Sequence, residues 1–326
     1  MSHPRTPIRT SLSVLSALLI AFLAFLPASP ASANDRPATI SLPNGFSPED
    51  ITAGPHHTFF VGSLATGAIF RGSFTTGKGS LLVPSSTGPT TGLYLERRDG
   101  HDRLWAAGGP SGQARVYDVT TGALLRTYQL ADPASGTFVS DVIVTDHAAY
   151  YTDAFVQQLF VIPFGEHSHQ ALPPTSAART VPLTGDVSYV SGPNAFNLNG
   201  LAAFKDTLVS FQTVTGELFR INPMSGVTKQ IPVMDKKGNP VTVDGADGIA
   251  QRSHTLFAAQ NFPEKLATVK VDGNLRSARL VDVATSPALD IPSSLEEDRG
   301  DLFGLNARFT TPATPTTTYT IVRVKR

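Results

Sequence analysis

Three residues whose side chains end in hard oxygen donors stand at comparable places in three well-separated stretches: Glu49, Asn199 and Asp247. Each opens a short apolar run, in Pro48-Glu49-Asp50-Ile51, Asn199-Gly200-Leu201 and Asp247-Gly248-Ile249. Two carboxylates and an amide oxygen brought into one ring suit Ca2+ best, with Mg2+, Mn2+ or Zn2+ as further choices and water completing the shell. The matching openings elsewhere are Gly92, Ser140 and the region of Ser293, while Asp50, Asp141 and Asp244 lie close enough to act as outer partners. A glycine follows both Asn199 and Asp247, so capping a turn is the competing role for each.

Other chemistries find little to work with. His167-Ser168-His169 has a spacing that Zn2+ or Cu2+ could use, but it stands in a Pro- and Ser-rich loop without further ligands. His56-His57 reads as part of a turn. There is no cysteine, which excludes thiol chemistry and disulfides. No G-x-S-x-G string, phosphate loop or dinucleotide fingerprint occurs; Gly109-Pro110-Ser111-Gly112 lacks the nucleophile-elbow spacing. Lys plus Arg and Asp plus Glu balance at 26 each, which argues against nucleic acid or an anionic membrane as partner.

The elements that must bring the three oxygens together are short strands. Residues 194–233 hold four apolar runs rich in Val, Ile, Phe and Thr, cut by Lys205-Asp206, Val214-Thr215-Gly216 and Asn222-Pro223-Met224-Ser225-Gly226. That is an antiparallel meander, with Leu218, Arg220 and Asn222 on one face and Phe219 and Ile221 on the other. One such sheet cannot bury both faces, so it needs neighbours like itself. Six units recur at spacings of roughly 40 to 60 residues, the range of propeller blades. The sixth lacks its last strand, whereas residues 38–42 form an orphan strand at the other end. If the orphan completes the sixth sheet, the ring closes without an open edge. The expected fold is all-β: a six-bladed β-propeller of four-stranded antiparallel blades, closed by the N-terminal strand of the mature chain. Loops 165–193, 289–300 and 309–319 are expected on its rim.

The N-terminus reads differently. Arg5 and Arg9 precede an apolar run over 12–26, and Pro27-Ala28-Ser29-Pro30-Ala31-Ser32-Ala33 follows. This is the pattern of a secretory signal cut after Ala33, so residues 1–33 are expected to be removed and 34–326 to form a single domain outside the cell. No later stretch is long or apolar enough to span a bilayer.

With Glu49 opening the first blade, Asn199-Gly200-Leu201 and Asp247-Gly248-Ile249 opening two successive later ones, the chain resembles the SMP-30/gluconolactonase/luciferin-regenerating family. That resemblance implies a six-bladed propeller, one divalent metal held in the channel by Glu49, Asn199 and Asp247, and lactone opening with Asp247 as general base. The family tends to show R-x-N-D in blade three, with the Arg and Asn on substrate; here the string is Phe138-Val139-Ser140-Asp141. Phe138 and Ser140 take those places beside Asp141, so a more apolar lactone or ester suits the site better than a sugar lactone. Arg308, in Asn306-Ala307-Arg308-Phe309, is a further candidate at the channel mouth. The expected protein is a secreted monomeric hydrolase acting on a small-molecule substrate. The alternative is a non-catalytic propeller that binds a ligand or protein through its loop face.

Overall fold

Alternation of apolar and polar residues, broken every few positions by Gly, Asn or Asp, yields strands joined by tight turns, and the chain does little else. A computed structural model describes residues 1–3, 36–98, 100–165, 171–193 and 195–325. The unit Arg36–Arg326 is six sheets, each with four antiparallel strands, arranged as the blades of a β-propeller; the sheets of two blades gain short strands, Thr184–Gly185 in one and Val233–Met234 with Pro240–Val241 in the other. Blade I comprises Pro48–Ala53, Thr58–Ser63, Ile69–Ser73 and Gly79–Val83, and blade II Gly92–Arg98, His101–Ala107, Gln113–Asp118 and Leu124–Gln129. Blade III comprises Val139–Val144, Ala148–Asp153, Gln158–Pro163 and Arg179–Pro182. Ala202–Phe204, Thr207–Gln212, Glu217–Ile221 and Val227–Ile231 form blade IV; Ala246–Arg252, Thr255–Gln260, Lys265–Val271 and Ala278–Thr285 form blade V. Blade VI is Pro292–Asp298, Asp301–Asn306 and Thr320–Val324, completed by Thr39–Ser41.

The expected closure is present. Thr39–Ser41 pairs antiparallel with Thr320–Val324, Ile40 lying opposite Ile321. A clasp of charges holds that strand in place. Arg36 donates to Asp298 Oδ2 at 2.5 Å and to Asp301 Oδ2 at 2.6 Å, while its guanidinium lies 5.3 Å from the centre of the Phe303 ring. Asp298 also meets His57 Nδ1 at 2.7 Å, which ties blade VI to the turn of blade I.

The core is a set of seams between blades. Phe59, Phe74 and Phe303 stack in series across the blade I–VI seam, with ring centres 4.8 and 4.4 Å apart. Trp105 is fully buried, stacks on Tyr128 and donates its indole N–H to Glu96 Oε2 at 2.7 Å. Burying large aromatics at these seams, at roughly 25 cal/mol per Å2 of apolar surface, is what a chain without disulfides relies on.

One expected rim loop is not a loop. Within 289–300, Pro292–Asp298 is the innermost strand of blade VI. Its composition, Pro-Ser-Ser-Leu-Glu-Glu-Asp, hides it, because a strand that lines a polar channel lacks the apolar alternation that marks one packed in a core. The signal-like stretch, apart from Met1–His3, and the pair His167 and His169 lie outside the described residues. No helix among the described residues is long and apolar enough to cross a membrane.

Candidate functional site

Side chains in a regular strand alternate, so Glu49 and Asp50 should face opposite ways. Both are nevertheless buried beside the channel, and the cause is a break in register. The pairing of blade I slips between Pro48 and Ile51, that of blade III between Val139 and Val142, and that of blade V between Ala246 and Ile249. Each slip is a β-bulge, which re-aims consecutive side chains. It falls on Glu49-Asp50, Ser140-Asp141 and Asp247-Gly248, the positions singled out in the sequence.

The glycines after Asn199 and Asp247 also have a reason other than turn formation. A Cβ on Gly200 would stand 2.5 Å from the Asp247 carbonyl oxygen, and one on Gly248 would stand 2.6 Å from Ser294 Cβ. Each glycine lets the next blade approach the axis. Hydroxyls then staple blade to blade around the ring. Ser293 Oγ donates to the Glu49 carbonyl at 2.5 Å, Thr91 Oγ1 to that of Val139 at 2.7 Å, Thr152 Oγ1 to that of Asn199 at 2.8 Å, and Thr213 Oγ1 to that of Ala246 at 2.7 Å.

Glu49, Asn199 and Asp247, from blades I, IV and V, line the floor of one cavity of about 720 Å3. Ser140 Oγ donates to Asn199 Oδ1, Asn199 Nδ2 donates to Asp247 Oδ1, and Asn261 Nδ2 lies 3.4 Å from Asp247 Oδ2. Among the described residues, no donor reaches the Glu49 carboxylate. Burial first, then the Asp247, Asp50 and Asp141 charges, push the Glu49 carboxyl well above its ordinary range. Burial likewise raises Asp247 to about 7, against the hydrogen bond from Asn261.

Asp50, buried, and Asp141, half-buried, lie in the same channel and are fully engaged. Asp50 accepts from Ser294 Oγ at 2.6 Å and from the Leu93 N–H at 2.7 Å, joining blades VI, I and II. Burial raises it to about 6, those hydrogen bonds opposing. Asp141 accepts from the Leu201 N–H and the Val142 N–H, each at 2.7 Å, joining blades III and IV. Both border a second cavity of about 310 Å3 on the far side of the floor.

The remaining sequence candidates fall in different places. Phe138 lines the large cavity. Ser140 is fully buried and occupied with Asn199. Arg308 does not line the cavity: its guanidinium is held by Asp290 Oδ2 at 2.7 Å and the Thr318 carbonyl at 2.8 Å, although Phe309 and Thr310 beside it do reach the wall. Asp244 is exposed on a turn and is no outer partner of the floor.

Of the walls, sequence reading named only Phe138. Phe138, Phe155 and Phe196 pack together with centres 4.9 to 5.3 Å apart, and Phe262, Phe309 and Val214 border the opening. It also missed Asp153, fully buried at the end of a blade III strand. Asp153 accepts from Thr137 Oγ1 at 2.7 Å, from the N–H groups of Phe138, Phe155 and Val156 at 3.0 to 3.1 Å, and from Gln158 Nε2 at 3.0 Å. The one signal available was an Asp between a Tyr-Tyr-Thr strand and an Ala-Phe turn, which many hairpins share.

Whether the floor fits a metal ion turns on its donors. Among the described residues no cluster of three or more His, Cys, Asp or Glu side chains is placed to hold one. The floor offers two carboxylates and an amide, a hard-oxygen set suited to Ca2+ or Mg2+. An amide N–H stands where Asp247 would face a cation; turning the Asn199 amide over would present its oxygen there and its N–H to Ser140. With an undonated Glu49 and no basic side chain among the lining residues, the set fits a cation.

No protein-family model matches the chain, and no curated protein matches it in sequence. Solved structures are similar in fold. The major allergen Mala s 1 of Malassezia sympodialis superposes with a TM-score of 0.64 at 14% identity, over 89% of this chain and 96% of that one. Virginiamycin B lyase of Staphylococcus aureus superposes with a TM-score of 0.53 at 12% identity, over 82% and 80%, and a catalytically inactive variant of that enzyme was solved with quinupristin. A streptogramin B lyase gives 0.53 at 9% identity, over 88% and 96%. At these identities the likeness supports a propeller, of a kind that includes enzymes, and goes no further.

Proposed function

We propose that the chain is a divalent-metal-dependent hydrolase of a lactone or ester, similar to the SMP-30/gluconolactonase family, working at the cavity floor. The observation that carries this reading is the convergence of Glu49, Asn199 and Asp247 from three blades on one cavity, with the Glu49 carboxylate undonated. Glu49, Asp247 and the Asn199 amide oxygen would hold the ion, which would polarise the substrate carbonyl and ease ionisation of water. Asp247 takes the proton from the attacking water, whose oxygen bonds to the carbonyl carbon. The acyl C–O bond then breaks, and the proton passes from Asp247 to the departing alkoxide. Asn261 orients the Asp247 carboxylate, and the walls exclude bulk water. In this reading residues 1–33 are a secretory signal and the enzyme works outside the cell.

The test is a panel of lactones and esters with and without EDTA. The expected result is turnover that chelation abolishes and Asp247→Ala removes. A panel without turnover by calcium-loaded protein overturns it. The second reading is a non-catalytic propeller that binds its ligand at the loop face. Its support is specific: the blade III positions that would grip a polar substrate are an aromatic ring at Phe138 and a hydroxyl at Ser140 already spent on Asn199.

A further inference from the structure

We infer that the large cavity selects an uncharged, apolar ligand with an aromatic or bulky aliphatic body and turns away anions. This names the substrate class for the proposed hydrolysis and rests on that cavity being the working site, but its test reads binding alone.

The walls carry the first half of the inference. Phe262 and Phe309, both on the cavity lining, are 66% and 42% exposed, and Phe155, packed behind the lining rings Phe138 and Phe196, is 43% exposed. Phe262 and Phe309 stand where the ligand would cover them. The wall is also built rather than incidental. Asp153 fixes the backbone under Phe138 and Phe155. Asn197, next to Phe196, accepts from the Val190 N–H at 2.8 Å and from Gln212 Nε2 at 2.7 Å, and donates to the Ala195 carbonyl at 2.9 Å. Rings held this way offer area at small entropic cost, because little freedom remains to be lost on binding.

The floor carries the second half. Its acids are Glu49 and Asp247, the latter beside the Asn199 and Asn261 amides, and there is no Lys, Arg or His among the lining residues. A carboxylate, sulfonate or phosphate brought to that depth would lose its hydration beside acids and without a counter-ion from the protein's side chains. An ester or lactone carbonyl carries no such penalty, and its apolar body matches the walls.

Two fluorescent probes separate the terms, since they share an anilinonaphthalene body and differ in one sulfonate: N-phenyl-1-naphthylamine, which is neutral, and 8-anilino-1-naphthalenesulfonate. In chelator-treated protein the neutral probe should bind saturably, and at least about tenfold more tightly than the sulfonate. Phe138→Ala should weaken the neutral probe about fivefold or more by removing buried apolar contact. Phe262→Ser should do the same in direction, and because Phe262 is exposed that variant keeps its fold. Equal or tighter binding of the sulfonate, no saturable binding of the neutral probe, or binding indifferent to both substitutions would overturn the inference. Absence of hydrolysis in the substrate panel, with probe binding as described, would sink the hydrolase reading and leave this one standing.

Discussion

Glu49 and Asp50 are neighbours in the chain, carry the same functional group and are buried beside the same channel, yet their surroundings differ completely. Asp50 is held by a hydroxyl from blade VI and a backbone N–H from blade II. Glu49 has neither, and its carboxylate looks into the large cavity. Across the axis the contrast is one of kind: Asp141 spends both oxygens on backbone N–H groups, whereas Asp247 meets only the side-chain amides of Asn199 and Asn261. The teaching is that burial alone does not sort structural from functional carboxylates. What sorts them is whether the protein itself supplies the donors, because a buried charge left open is tolerated only where something else is meant to satisfy it.

That contrast can be broken experimentally. The largest effect belongs to the two acids on the cavity floor. Asp247→Asn should lower kcat/KM on any substrate that turns over by about 10^2- to 10^4-fold while leaving the denaturation midpoint nearly unmoved. Next comes the engaged pair: Asp50→Ala strands the Leu93 N–H and should cost about 3 kcal/mol of stability in urea titrations. Glu49→Gln loses no donor and relieves repulsion, so it should be neutral or mildly stabilising; a loss comparable to that of Asp50→Ala would erase the distinction. Smaller again is the effect of the ion. Calcium at 100 times its Kd should add about 2.7 kcal/mol to the unfolding free energy, and the gain should vanish in Asp247→Ala.

A pH dependence is expected at the far end of the channel, where Glu296 accepts the Ala53 N–H at 2.8 Å. Burial lifts its carboxyl from 4.5 to about 8, that hydrogen bond opposing and the Asp50 charge adding. The folded protein keeps a proton that the unfolded chain gives up, so this contribution is complete below about 4.5 and fades as pH rises to about 8. Stability measured across that interval should fall with rising pH, and Glu296→Gln should flatten part of the slope.

The blades were legible because strand alternation and turn residues are local, and the closing strand because a meander lacking one member matched an orphan at the other end. The floor was legible as three residue types at blade openings. What made it a floor was not. The β-bulges that bring both Glu49 and Asp50 to the channel leave no mark in composition. The inner strand Pro292–Asp298 carries polar residues because it faces the channel, so it read as loop. The aromatic wall draws Phe138, Phe155 and Phe196 from three connections of adjacent blades and Phe262 and Phe309 from two others, and only the packing of blade on blade gathers them at one cavity.

That closure also sets the order of folding. Ile40 can meet Ile321 only after almost the whole chain has been made, and Arg36 can find Asp298 and Asp301 no sooner. Contacts of such high sequence separation form late and slowly. Until the last sheet is sealed, the edges of Thr320–Val324 and the apolar seam behind it stay open to other chains. Once sealed, the same pairing works as a lock on the way out, since opening the ring requires both chain ends to be released together. A ring built this way is exposed to misassembly while it forms and slow to come apart afterwards.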